Sequence, residues 1–182
     1  MVADPPTAAA PTEPESWEFR RVHVDDALAA PLLDELAREY SARYGMPLDE
    51  QVRKLAEEYP PEDFTPPGGA LVLLLERGNP VAGGAFRRHD ARTAELKRMW
   101  TRSGHRRRGL ARRVLAELER QALASGYRRV HLTTGPRQPE AQALYLAAGY
   151  RPLFDTTRDP AELTPPLPFE KILTDPPTAE AT

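Results

Sequence analysis

The chain contains no cysteine. That excludes a disulfide framework, a thiolate nucleophile and thiolate metal ligands. Histidine is scarce: His23, His89, His105 and His131 lie far apart, and no two have the spacing of a helical metal site. No run of about 18 apolar residues occurs, so no segment reads as a membrane-spanning helix. Net charge is also nearly absent. The 25 Lys and Arg against 27 Asp and Glu leave −2, a balance that argues against a general nucleic-acid binder. No internal repeat is visible. The class that remains is a cytoplasmic enzyme with no metal, no membrane and no nucleic acid among its expected partners.

The 182 residues suffice for one domain with a sizeable core. Residues 1–15 are rich in Pro, Ala, Thr and Glu and lack the basic start and apolar centre of a signal peptide. The expected organisation is a disordered leader over 1–15, one domain over 16–174 and a disordered tail over 175–182. The high Arg, Ala and Pro content hints, by composition alone, at a GC-rich bacterial genome.

Alternation of apolar and polar residues predicts a first strand over 17–22. Asp25 or Asp26 can cap the next helix, whose apolar positions are Leu28, Leu32, Leu33, Leu36 and Tyr40, with Gly45 at its end. A second helix is predicted over 48–59, with Val52, Leu55, Ala56 and Tyr59 on one side. Residues 60–69 hold four prolines and two glycines and read as a loop. A meander follows: a buried strand over 71–75, a turn at Gly78-Asn79-Pro80, a return over 81–88 in which Gly83 and Gly84 mark a bulge or close approach, and a strand over 94–101. A helix over 109–125 presents Leu110, Val114, Leu115, Leu118 and Leu123 on one face. A strand over 129–134, a helix starting near Pro139, a short strand near 151–155 and a last strand over 169–173 complete the order β-α-α-β-β-β-α-β-α-β-β.

The segment Arg106-Arg107-Arg108-Gly109-Leu110-Ala111 opens a helix directly after a strand. A small-residue turn at a helix start leaves several backbone N–H groups unpaired, and with the helix dipole they form an anion site. Three arginines add positive charge. The bland alternative is a solvated basic surface.

The order strand, R-x-x-G-x-A helix, strand, then Ala143-Leu144-Tyr145-Leu146-Ala147-Ala148-Gly149-Tyr150 resembles the acetyl-CoA core of the GCN5-related N-acetyltransferase family. The resemblance covers residues 70–155 well and 17–60 loosely. It implies an α/β (α+β) fold. The central sheet is mixed and mostly antiparallel, with six to seven strands, about four flanking helices and a parallel strand pair splayed at the acetyl-CoA site. It implies acetyl-CoA as co-substrate, a small-molecule or peptide amine as acceptor, and compatibility with a homodimer.

The same resemblance implies that amides from Arg107 to Arg112, with Arg106, Arg108, Gly109, Leu110 and Ala111, hold the coenzyme's diphosphate. Met99, Trp100 and Thr101 would pair their backbone with the pantetheine arm as an added strand. Tyr145 would act as general acid toward the departing thiolate, although a core aromatic fits the same position. Gln138 fits a hydrogen bond to pantetheine and a plain helix N-terminal residue equally. Glu95 is the candidate general base, on one face with Lys97, Met99 and Thr101 by strict alternation, a count that a bulge of the kind common in this strand of the family would upset; an exposed glutamate paired with Lys97 or Arg87 is its alternative. His131 is a second proton-relay candidate. Glu57, Glu58, Glu62 and Asp63 suit a cationic acceptor. Two other functions fit parts of the pattern: an acyl-CoA sensor without turnover, and a nucleic-acid-binding module using the basic residues 106–113.

Overall fold

Seven strands hydrogen-bond into one sheet in the order β1-β2-β3-β4-β5-β7-β6. The computed structural model describes residues 17–159 and 162–174; the expected leader and tail lie outside the described residues. The strands are β1 (Trp17–Val22), β2 (Ala70–Glu76), β3 (Asn79–Arg88), β4 (Thr93–Thr101), β5 (Arg129–Thr134), β6 (Arg151–Pro152) and β7 (Leu167–Ile172). The helices are α1 (Ala30–Tyr44), α2 (Leu48–Glu57), α3 (Leu110–Ala124) and α4 (Pro139–Ala147). All pairings are antiparallel except β4 with β5. The mixed, mostly antiparallel sheet with one parallel pair is therefore as expected.

Both faces of the sheet are covered. Val72 and Leu74 of β2, with Ala94 and Leu96 of β4, pack against Leu110, Val114, Leu115, Leu118 and Ala122 of α3. Those α3 positions make the apolar stripe of an amphipathic helix. Leu123, predicted on it, sits only partly buried at its margin. The alternate residues Leu71, Leu73 and Leu75 face Leu32, Leu36 and Ala37 of α1 and Leu55 of α2. β2 is buried on both faces, which explains its unbroken aliphatic run. Each such side chain removed from water contributes about 1.5–3 kcal/mol.

Three local readings change. A 3-10 turn over Pro61–Phe64 lies inside the predicted loop, and it buries Phe64. Asp26 caps a short 3-10 segment over Ala27–Ala29 that leads into α1, accepting from the Leu28 N–H at 2.8 Å. In α2, Val52 is 48% exposed whereas Gln51 and Leu55 are buried. The helix thus presents 51 and 55 inward, and Tyr59 follows its end.

The strand that forms the site is bent. Gly83 pairs with Trp100 but Ala85 pairs with Lys97, so β4 carries one extra residue opposite Gly84. A bulge turns every later side chain to the other face. Met99 therefore packs with Leu96 on the α3 side, while Trp100 joins the α1 side. Strict alternation, which put Glu95, Lys97, Met99 and Thr101 on one face, fails at this point. Gly84 makes room for the displaced chain: a Cβ there would meet the Met99 Sδ at 2.7 Å and the Leu118 Cδ1 at 2.9 Å.

Candidate active site

β4 and β5 pair only over Thr93–Glu95 and Arg129–His131. Beyond Glu95 they separate, and the edge of β4 that faces β5 is left without a strand partner. A cleft of about 430 Å³ opens there. Its walls come from β4 (Leu96 to Thr101), the turn before α3, the start of α4 and the inner side of α1.

One end of the cleft is the turn before α3. Arg107 (φ 62°) and Gly109 (φ 74°) both take left-handed backbone. Glycine does so without the strain a Cβ brings, and α3 begins immediately after it, at Leu110. The first intrahelical bond donated near this end is from Arg113 to the Gly109 carbonyl, so the preceding N–H groups remain available, as at any helix start. Arg106, Arg107, Gly109, Leu110, Ala111 and Arg112 all line the cleft. Arg108 does not: its guanidinium forms a two-pronged bond with Glu76 and lies over the Trp17 ring. Arg106 donates to Glu39 at 2.7 Å.

Met99, Trp100 and Thr101 line the cleft. The Trp100 indole donates to Glu35 at 3.1 Å. The Thr101 hydroxyl oxygen is buried without a partner among the described residues.

Tyr145 reaches the cleft from α4 and is only 5% exposed. Burial, with nearby Tyr40 adding to it, raises its phenol pKa, so the hydroxyl stays protonated. Tyr40 is likewise pushed up to about 12, by burial and then by Glu39. Gln138 precedes α4 and lines the cleft. Its amide oxygen accepts from the Thr134 hydroxyl at 2.8 Å and the Gly135 N–H at 3.0 Å.

Glu95 is not part of the cleft wall. It is buried beneath the 3-10 turn, bonded to Arg87 at 3.0 Å and Lys97 at 2.9 Å, and Arg87 continues to Asp63 at 2.6 Å. Burial works to raise its pKa, yet the Lys97 and Arg87 cations hold it below the usual carboxylate value. His131 pairs with Glu95 across the closed part of the sheet and stacks on His89 at 5.0 Å, outside the cleft. Burial and then His89 lower its pKa. Of the acidic residues expected near the acceptor, Asp63 is taken by Arg87, and Glu57 and Glu58 line a separate shallow depression on α2.

A family profile described as Acetyltransferase (GNAT) family matches residues 30–150. The chain belongs to the acetyltransferase (GNAT) family. It is an acyltransferase by that membership. It is 28% identical over 144 residues to the uncharacterized N-acetyltransferase YjgM of Escherichia coli, covering 75% of this chain and 83% of that protein. It is 36% identical over 89 residues to the uncharacterized N-acetyltransferase YsnE of Bacillus subtilis, where the match spans 46% of this chain and 59% of YsnE. Among solved structures, an acetyltransferase from Thermus thermophilus is 26% identical with a TM-score of 0.61, covering 87% of this chain and 97% of that one. The PaiA N-acetyltransferase of Thermoplasma acidophilum, solved with coenzyme A, has the same fold at 15% identity and a TM-score of 0.65, covering 86% and 99%.

Within this GNAT fold, sequence reasoning missed the α1 wall, which is Leu36, Glu39 and Tyr40, and it missed Arg98. Glu39 and Tyr40 carry no motif; only their place on the last turns of a helix before Gly45 set them apart. Among the described residues no group of His, Cys, Asp or Glu is arranged to hold a metal ion. No described helix is long and apolar enough to cross a membrane.

Proposed function

We propose that the protein transfers the acetyl group of acetyl-CoA to a primary amine by direct attack within a ternary complex. The observation that carries this is the opening between β4 and β5, with unpaired N–H donors at one end and Tyr145 at its floor. The turn from Arg106 to Arg112 takes the diphosphate: several N–H donors converge there, and Gly109 leaves the approach clear. The pantetheine arm lies along the free edge of β4, where its amides pair as an added strand. The coenzyme A bound to PaiA supports a coenzyme on this fold.

The thioester carbonyl accepts from a backbone N–H near Met99 or Trp100. That bond polarises the carbonyl and stabilises the oxyanion of the tetrahedral intermediate. The amine's lone pair forms the new C–N bond, the nitrogen gives up one proton to solvent in the cleft, and the C–S bond breaks as the intermediate collapses to the neutral amide and the thiolate. Tyr145 donates a hydrogen bond to the departing sulfur. A thiol ionises near pKa 8.5 and an unperturbed phenol near 10, and burial raises Tyr145 further. The tyrosine therefore steadies the thiolate rather than surrendering its proton completely.

Attack requires a neutral amine. The carboxylates on the cleft wall are occupied: Glu39 by Arg43 and Arg106, Glu140 by Arg43. We assign deprotonation to solvent in the cleft, and Glu95 to holding Lys97 and Arg87. On this assignment the rate with an aliphatic amine climbs about tenfold per pH unit below the amine's pKa, near 10.

The test is a screen of amines for free thiol release from acetyl-CoA, with the N-acetyl product identified by mass. Turnover with at least one amine is the expected result. Coenzyme binding without release from any amine would leave a sensor in its place.

A further inference from the structure

Arg98 is the extra residue of the β4 bulge, held at φ 57°. Left-handed backbone is strained for a long side chain, and such strain gathers where a side chain must be aimed. The bulge directs Arg98 to the same face as Trp100, beneath α2. Its Nη2 donates to the Leu55 carbonyl at 2.8 Å, and its guanidinium lies 4.4 Å from the centre of the Phe64 ring. One of five N–H donors is thereby used. Arg98 is half-buried, and the residue lines the cleft.

Its neighbours differ in one respect. Lys97 and Arg87 are bonded to carboxylates, whereas Arg98 has none within ion-pair distance among the described residues. Burial lowers its pKa, and Glu58 and Tyr59 oppose that from a distance. The wall thus offers no free carboxylate to a cationic group but offers a pre-oriented guanidinium to an anionic one. The planar fork of a guanidinium matches a carboxylate in two-pronged geometry.

Resting on the acetyltransferase reading above, we infer that the acceptor is an amine that also carries a carboxylate, bound through Arg98. The class is an amino acid or a short peptide rather than a polyamine. The amine is presented toward the thioester near Met99, one residue along the chain from the group that holds the carboxylate.

The experiment compares kcat/KM for thiol release from acetyl-CoA with each of the twenty amino acids, the matching amino acid amides, and 1,4-diaminobutane. The amide keeps size and amine but loses the negative charge. For the best acceptor, an acid-to-amide ratio of about ten or more is expected in the wild type, as for a charge-assisted bond. Arg98→Gln brings that ratio toward one, and Arg98→Lys restores part of it. If Arg98 only braces the last carbonyls of α2, Arg98→Gln slows acids and amides in equal proportion and the ratio stays put, which overturns the inference. Should Arg98→Gln fold poorly, the wild-type ratio and Arg98→Lys still decide. Equal or better turnover of amides or of 1,4-diaminobutane overturns this inference and leaves the acetyltransferase reading intact. Release from no member of the panel overturns this inference, and the acetyltransferase reading falls with it only if the wider amine screen also gives no release.

Discussion

Positive charge is used differently at the two ends of the cleft. Before α3, Arg107 and Arg112 are exposed and have no carboxylate partner among the described residues. On the sheet, Lys97 of β4 is locked to Glu95 and Arg87 of β3 to Glu95 and Asp63, and both cations also sit over the Tyr59 ring, at 4.9 and 4.3 Å from its centre. Free cations beside unpaired N–H groups suit a mobile polyanion. Paired cations instead fix the wall: they tie the 3-10 turn and the end of α2 to the sheet. Arg98 stands between these cases, on the fixed wall but without a carboxylate.

Replacing the free arginines should give the larger effect. Arg107→Ala with Arg112→Ala should weaken acetyl-CoA binding roughly 30-fold, about 2 kcal/mol for two charge-assisted contacts. High salt should narrow the gap from wild type. Arg108→Ala, which removes a group tied to Glu76, should leave affinity within about twofold. Equal losses from both changes, read by calorimetry, would erase the distinction between facing and averted arginines.

Next in size, Tyr145→Phe should lower kcat about tenfold while coenzyme affinity stays within about twofold. Unchanged kcat would return Tyr145 to the role of a core aromatic, packed as it is against Tyr150 and Phe169.

The two ends also differ in how legible they were. The turn before α3 is local: its arginines, glycine and helix onset are consecutive, so a short motif carried it. The opposite wall is assembled from α1 and β4, with α2 and the 3-10 turn behind β4, and its geometry hinges on one inserted residue. Gly83-Gly84 did signal an irregularity, but the extra residue lies on the partner strand. Nothing in Lys97-Arg98-Met99 announces a bulge, because its cause is the fit of Met99 over a residue without a side chain. The meander and the helix order were readable from periodicity; the parallel pair came only with the family resemblance. Which face Val52 takes was not, since the burial of Gln51 and Leu55 is decided by tertiary contact.

The smallest effect is expected at the paired end. Glu95→Gln should change kcat by about twofold or less, because Glu95 lies off the cleft. Its cost should appear in stability. Glu95 has its pKa lowered in the folded chain, so its contribution is complete above about pH 4.5, its unfolded value. That contribution is lost as pH falls through the folded value. Thermal unfolding should therefore show Glu95→Gln below wild type at pH 7, with the two converging under pH 4.5. A large loss of kcat with a displaced pH profile would instead make Glu95 the base.

The claim on which the rest depends is that the turn before α3 grips a diphosphate, and titration of coenzyme A into two variants tests it most directly. A Cβ at Gly109 meets no protein atom within 4 Å, so Gly109→Ala should fold with left-handed strain of about 1–2 kcal/mol, and its single methyl should weaken binding far less than a carboxylate does. Gly109→Glu places a negative charge and added bulk where the diphosphate lies, and it should give no heat of binding. Wild-type affinity in Gly109→Glu, in a folded variant, would contradict the account.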